Sequence, residues 1–412
     1  MPTATERRAA AGRRRLLRAL PASTLVWPAV VLPTPAAAAS AATAPAGSAP
    51  AASATAAPQP RSRPLALLAA AWDGQDGHRV GLLKARAGAA ALEVSAEIDV
   101  PTRAHALYPE RDGQLLAVAR RPGDWLLRWR RDGREVAWHW AEPDRVFNGH
   151  VIASPDGRRV FTTETDLEDG RGLIGVRDAR TLAKLAEWPT YGMDPHELLW
   201  TPPESGPLRL VVANGGIPTQ AETGRRKLHL DRMDSSLVML NPRDGMLAGQ
   251  WRLPDPRLSL RHLAWHRGAD APPVLGIALQ AEHDDDERRR AAPVLAVFDG
   301  RRLRSCEAER SLAGYGGQIV AAGGGFVVSC PRSDGIAMWS ADGRWRRFQA
   351  LAEACPLAVT QAAKTPAALI WAGGRHAVRV LGAAAPQPEL PAAGLRLDNH
   401  WAALPASADA PV

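Results

Sequence analysis

Cysteine is scarce: Cys306, Cys330 and Cys355 are the three in 412 residues. At most one disulfide can form, so this is not a disulfide scaffold, and a chain of this length must be held by its core. Lysine is nearly missing beside arginine, a bias read first as genomic composition. The charge is also weaker than it looks. Of the formal +8, residues 1–39 supply +5 (Arg7, Arg8, Arg13, Arg14, Arg15 and Arg18 against Glu6), which leaves about +3. That excess is too small for a nucleic-acid surface, and no basic run alternates with aromatics as a stacking platform would require. Long apolar runs are missing too. Ala19 to Leu32 is short and broken by Pro21 and Pro28, so no stable membrane span is expected. No Gly-x-Ser-x-Gly elbow, P-loop, CxxCH haem attachment or HExxH zinc helix occurs, which removes the reactions those motifs serve.

Residues 1–39 read as a twin-arginine signal peptide. Gly12-Arg13-Arg14-Arg15-Leu16-Leu17-Arg18 fits the pattern of two arginines, an apolar pair and a basic residue. Small residues from Ala36 to Ala39 suit a signal peptidase. The expected location is the periplasm. Residues 40–63 are Ala/Pro/Ser-rich and read as a disordered linker; residues 406–412 read as a disordered tail.

From residue 64 onward no convincing amphipathic helix is found. Short apolar runs are separated by turns such as Arg111-Asp112-Gly113, Arg131-Asp132-Gly133 and Pro155-Asp156-Gly157. One strand pattern recurs. It begins at His105, His150, His196, His262, Gln318, Cys355 and His400, in steps of 45, 46, 66, 56, 37 and 45 residues. Four-stranded propeller blades need roughly 40–50 residues. The long steps carry visible insertions, residues 215–234 and the charged run Glu282–Arg290. Three strand candidates precede His105 (Leu65–Trp72, Arg79–Lys84, Leu92–Val100) and one follows His400. Three and one complete a blade. The expected fold is all-β, a seven-bladed β-propeller over 64–405, closed by pairing the C-terminal strand with the N-terminal blade. The repeat is WD40-like, without the Trp-Asp pair.

In a propeller the first strand of each blade lines the central channel, so residues at its start gather at one mouth. Five of the seven equivalent positions are histidine: His105, His150, His196, His262 and His400. Imidazole is the commonest transition-metal ligand. These five are the candidate metal ligands, for iron or copper ahead of zinc. Gln318 and Cys355 occupy the other two positions. The loops after each second strand should reach the same face, which adds Arg120, Glu164 and Asn214 as ligand-binding candidates. The competing reading is a blade lock: Gly149-His150 resembles the Gly-His pair that ties blades together in other propellers, although the other histidines lack the glycine. The acidic run Glu282–Glu287 reads as a solvated loop.

Phe147-Asn148-Gly149-His150, Thr162-Thr163-Glu164-Thr165-Asp166, Pro195-His196-Glu197-Leu198, Val212-Ala213-Asn214-Gly215-Gly216-Ile217 and Ser259-Leu260-Arg261-His262-Leu263 resemble the bacterial family catalogued as domain of unknown function 1513. The likeness spans roughly residues 64–405. It implies a periplasmic propeller and, through encoded neighbours, imelysin-like and di-haem-peroxidase-like partners in iron acquisition. The family's His-bearing motifs match His105, His150, His196 and His262. It brings no established reaction.

These readings converge on a periplasmic accessory protein, expected to be monomeric, that holds a transition metal or a metal-bearing ligand at a histidine-lined channel mouth, in iron or copper acquisition. The alternatives are a metal-dependent hydrolase, lactonase or oxidoreductase at the same site, and a protein-interaction propeller with structural histidines.

Overall fold

The computed structural model describes residues 64–405 apart from 87–88, 219–226, 228, 269–270, 362–367 and 383–387. The signal peptide, linker and tail expected from the sequence lie outside the described residues. The chain forms seven four-stranded antiparallel sheets. In chain order from His105, the innermost strands are Ala104–Pro109 (blade 2), Arg145–Ala153 (blade 3), Pro195–Trp200 (blade 4), Leu258–His266 (blade 5), Ile319–Ala322 (blade 6) and Leu357–Gln361 (blade 7). Blade 1 takes its innermost strand, Arg396–Leu404, from the far end of the chain and pairs it with Pro64–Asp73, in the register Leu67↔Leu404 to Asp73↔Arg396. The expected seven-bladed propeller and its closure are both present.

Position within a blade explains the sequence pattern. The second and third strands lie between neighbouring blades, and in blade 2 they are buried throughout: Leu115–Ala119 and Trp125–Trp129 have no exposed residue. They therefore read as mainly apolar runs. The outer strand Glu135–Trp140 is only partly covered and mixes polar with apolar residues. Trp72, Trp125, Trp129, Trp339 and Trp371 fill the widening gaps between sheets and are fully buried or nearly so. Trp125 Nε1 donates to Thr102 Oγ1 at 2.8 Å and Trp339 Nε1 to the Glu307 carbonyl at 2.8 Å, so these rings are buried without losing their polar end. The Asp-Gly turns behave as expected. Asp112, Asp132 and Asp156 each accept the main-chain N–H two residues on, and the following glycines have φ of +86°, +85° and +71°.

One local feature differs from the sequence reading. The charged insertion is not wholly a loop: Asp286–Ala291 is a short helix, capped by Asp285 accepting from the Arg288 N–H. The three cysteines are all free, so cohesion comes from the packed sheets alone.

Closure makes the last strand indispensable. Leu397, Trp401 and Leu404 are buried, and each contributes about 1.5–3 kcal/mol on burial. A chain ending at Gly394 is expected to lose cooperative unfolding, because that sum approaches the ~5–15 kcal/mol of a whole domain. Thermal denaturation followed by circular dichroism tests this; a sharp transition at the wild-type temperature would contradict it.

Candidate metal centre

Each histidine sits in a break of strand register. The pairing of innermost to second strand slips between Ala104 and Leu107, around His105. It slips between Phe147 and Val151, around His150. It slips again between Pro195 and Leu198 and between Leu260 and Leu263, around His196 and His262. In blade 1 the slip falls between Leu397 and Trp401, around His400. In blades 6 and 7 the equivalent residues lie just before the innermost strand, and two residues face one there as well: the Ser329 main chain accepts the Gly317 N–H and donates to the Gln318 carbonyl, and the Gly373 main chain accepts the Cys355 N–H and donates to the Pro356 carbonyl. A bulge re-aims the side chains it contains; here it turns all five imidazoles to one point. Gly149 is needed for the blade 3 bulge. Its φ is +102°, and a Cβ there would meet the His105 ring at 2.6–2.9 Å.

The rings pack edge to face around the axis. Neighbouring centroids are 4.8 Å apart for His105–His150 and His150–His196, 4.6 Å for His196–His262, 4.5 Å for His262–His400 and 4.4 Å for His400–His105. All five rings are buried. The Nε2 atoms of His196 and His262 are 3.2 Å apart, and those of His105 and His196 3.5 Å. Two nitrogens on one ion at ~2.0–2.1 Å in tetrahedral array lie about 3.3 Å apart. Three donor sets have all ligand atoms within 4.8 Å of one another: His105, His262 and His400; His105, His150 and His196; His150, Glu197 and His262.

The surroundings fix where the protons sit. The Arg261 guanidinium can only donate, and its Nη1 lies 3.3 Å from His196 Nδ1. His196 Nδ1 is therefore the acceptor, and the neutral ring carries its proton on Nε2, facing His262 Nε2. His262 Nε2 is then the acceptor of that proton and keeps its own on Nδ1, 3.4 Å from Glu197 Oε2. His196 thus donates into the cluster, and His105, His262 and His400 form a donor set that does not include it. Glu197 is held in place by accepting the Leu263 N–H at 2.7 Å.

Burial, with the neighbouring imidazoles adding to it, holds His105, His196 and His400 well below the usual histidine range. His150 is held low by burial against the opposing pull of Glu197. Burial, with Arg261 beside it, brings His262 down to about 3. The cluster is five neutral bases, the state that ligates metals, and not a patch of imidazolium.

The remaining candidates divide. Arg120 and Cys355 line a cavity of about 50 Å³ at the histidines. Cys355 is a thiol there, its pKa pushed up to about 12 by burial. Glu164 is elsewhere: buried inside blade 3, its carboxylate takes Arg177 Nη2 at 2.6 Å and Lys184 Nζ at 2.8 Å. Asn214 is spent on the Thr190 carbonyl and Ser236. Gln318 clamps blades, accepting the Leu357 N–H at 2.7 Å. These three are structural in this fold. Sequence reasoning missed Arg121, Asp194 and Arg261. Asp194 is fully buried and pairs with both Arg121 and Arg261. The signal was the Arg261-His262 pair inside an otherwise apolar strand.

The family model described as "Protein of unknown function (DUF1513)" matches residues 98–404. Among curated proteins none matches the chain. Among solved structures, Kuenenia stuttgartiensis Hydrazine Synthase is similar at 12% identity, with 74% of this chain and 92% of that chain covered and a TM-score of 0.51. Streptogramin B lyase gives 13% identity, 70% and 82% coverage and a TM-score of 0.48. BamB from Moraxella catarrhalis gives 11%, 78% and 87%, and 0.44. At these identities the likeness is one of fold.

The buried neutral imidazoles make stability depend on pH. In the unfolded chain a histidine takes its proton near pH 6.5; in the fold it does so far lower. Below about pH 6.5 the unfolded state binds more protons, so stability, complete above that pH, falls as pH falls. Each ring adds about 1.4 kcal/mol per pH unit. Denaturant unfolding of metal-free protein between about pH 6.5 and 5 is expected to show a slope of several protons, which shrinks when His105, His150 and His262 are changed to Gln. A flat profile would contradict the buried, neutral cluster.

Proposed function

The chain belongs to the DUF1513 family, and we propose that its five-histidine cluster is a transition-metal site. The observation carrying this reading is the convergence of buried imidazoles, the ligand atoms of His105, His262 and His400 all lying within 4.8 Å of one another. A blade-locking role predicts rings bonded to neighbouring strands. The rings face each other, and although His150 also bonds the His196 main chain of the next blade, one nitrogen on each of His105, His150 and His400 is buried without a hydrogen-bond partner. Leaving buried polar atoms unpaired costs about 1–3 kcal/mol each, which a purely structural arrangement would avoid.

His105, His262 and His400 would hold the ion. Glu197, at the far nitrogen of His262, orients that ring as carboxylates do behind ligating histidines. An all-imidazole set with no thiolate suits copper, iron or zinc. Glu197 is the acid beside the rings, but its Oε2 already serves the Leu263 N–H. A hydrolase, lactonase or oxidoreductase reaction at the same site would use Glu197 as its proton-moving carboxylate. With the export signal and the family's encoded neighbours, we place this binding in the periplasm, in iron or copper handling, with imelysin-like or di-haem-peroxidase-like proteins as partners.

Calorimetric titration of metal-free protein with Cu(II), Fe(II) and Zn(II) is expected to show about one ion bound per chain for at least one metal. Glu197→Gln keeps the main-chain acceptor and should weaken binding about 10–100-fold; His262→Gln should weaken it further. Absence of uptake for all three metals would defeat the proposal.

A further inference from the structure

Blades 6 and 7 supply no histidine, and the site opens on their side. The small cavity at the imidazoles continues into one of about 460 Å³, the two sharing Arg120, Arg121, Arg261 and Cys355 as walls. That volume is in the range of small-molecule sites. Six cationic side chains line it among the described residues: Arg120, Arg121, Lys227, Arg261, Arg332 and Arg375. The lining holds one carboxylate, Glu353.

Counter-charges lie behind the wall. Asp194 is shared between Arg121 and Arg261. Asp73 meets Arg375 at 3.1 Å, and Glu282 meets Lys227. Arg332 lies over the Tyr315 ring, 4.5 Å from its centroid, which fixes the guanidinium at the cavity wall. The Nε of Arg261, itself 4% exposed, has no hydrogen-bond partner at the junction of the two cavities. Lys227, paired with Glu282, is half-buried in this wall. Burial lowers its pKa to about 8, and Arg261 and Arg121 add to this against Glu282.

A low-dielectric funnel lined by one sign of charge concentrates ligands of the other sign and repels its own. A bare divalent cation would enter by this route more slowly than an anion. We propose that the vestibule binds a small multivalent oxyanion, a polycarboxylate or a phosphate, and that metal is presented to the histidines as the anionic complex of that ligand. The second half rests on the metal reading above; the first does not. Guanidinium groups match carboxylate and phosphate oxygens in bidentate geometry, and the wall offers several of them around one space.

The test is calorimetry on metal-free full-length protein with citrate and, separately, inorganic phosphate, at matched ionic strength. One of the two is expected to bind once per chain and to weaken with added salt. Citrate alone would identify a polycarboxylate site, phosphate alone a phosphate site, and both outcomes support the proposal. Arg332→Gln should weaken binding about tenfold, the worth of one charge-assisted contact. Adding Arg375→Gln should weaken it further, with circular dichroism checking the fold. The double variant His105→Gln/His262→Gln should bind the anion as the wild type does. Retained anion binding there separates this proposal from the metal reading, whose failure would leave it standing. No binding of either anion, or undiminished binding by Arg332→Gln, would overturn it.

Discussion

A strand that keeps strict alternation sends neighbouring side chains to opposite faces. Five innermost strands of this propeller break alternation at one place each, and a histidine occupies each break. The bulge lets consecutive residues reach the axis together, as Arg261 and His262 do. In blades 6 and 7, which lack the histidine, the equivalent residues serve the scaffold or the cavity wall. Gln318 accepts from the next blade, and Cys355 lines the entrance. Histidine at five of the seven positions makes the cluster, and its absence from blades 6 and 7 leaves the opening on their side.

The energetics run against stability and toward binding. Burying an imidazole without partners costs free energy, and this fold buries five of them against one another. The expense is spread over a closed ring of seven sheets, whose middle strands supply the apolar burial. Around the rings the polar groups are ordered in layers. Arg261 sets the tautomer of His196, Glu197 faces His262, and Asp194 anchors two guanidinium groups. Beyond them lies the cationic vestibule. The same arginines that position the inner layer thus decide the charge of what can approach it.

The architecture was legible because each blade repeats the same burial problem. The recurring strand, its spacing and the three-plus-one ends led directly to seven blades and their closure. The five histidines stood out for the same reason, since one position is tested seven times along the chain. Register breaks were not legible, because a bulge changes no residue type. Alternation would have turned Arg261 away from His262. Glu164 was misplaced for a related reason. Its surroundings are formed by Gly175, whose missing Cβ leaves room for the carboxylate, and by Lys184 on the next strand; both belong to packing within one blade. Asn214 and Gln318 likewise answer to neighbouring main chain. Asp194 carried no pattern of its own, and only the left-handed backbone there, φ +53°, marks it as special.

The central claim is that these bulges aim neutral imidazoles at a common ion. X-ray absorption at the K-edge of metal-loaded protein examines that directly, because imidazole rings leave a distinctive outer-shell scattering pattern. The account predicts about three nitrogen ligands near ~2.0–2.1 Å with that imidazole signature, reduced by one in His262→Gln. A first shell of oxygens only, unchanged by the substitution, would contradict it.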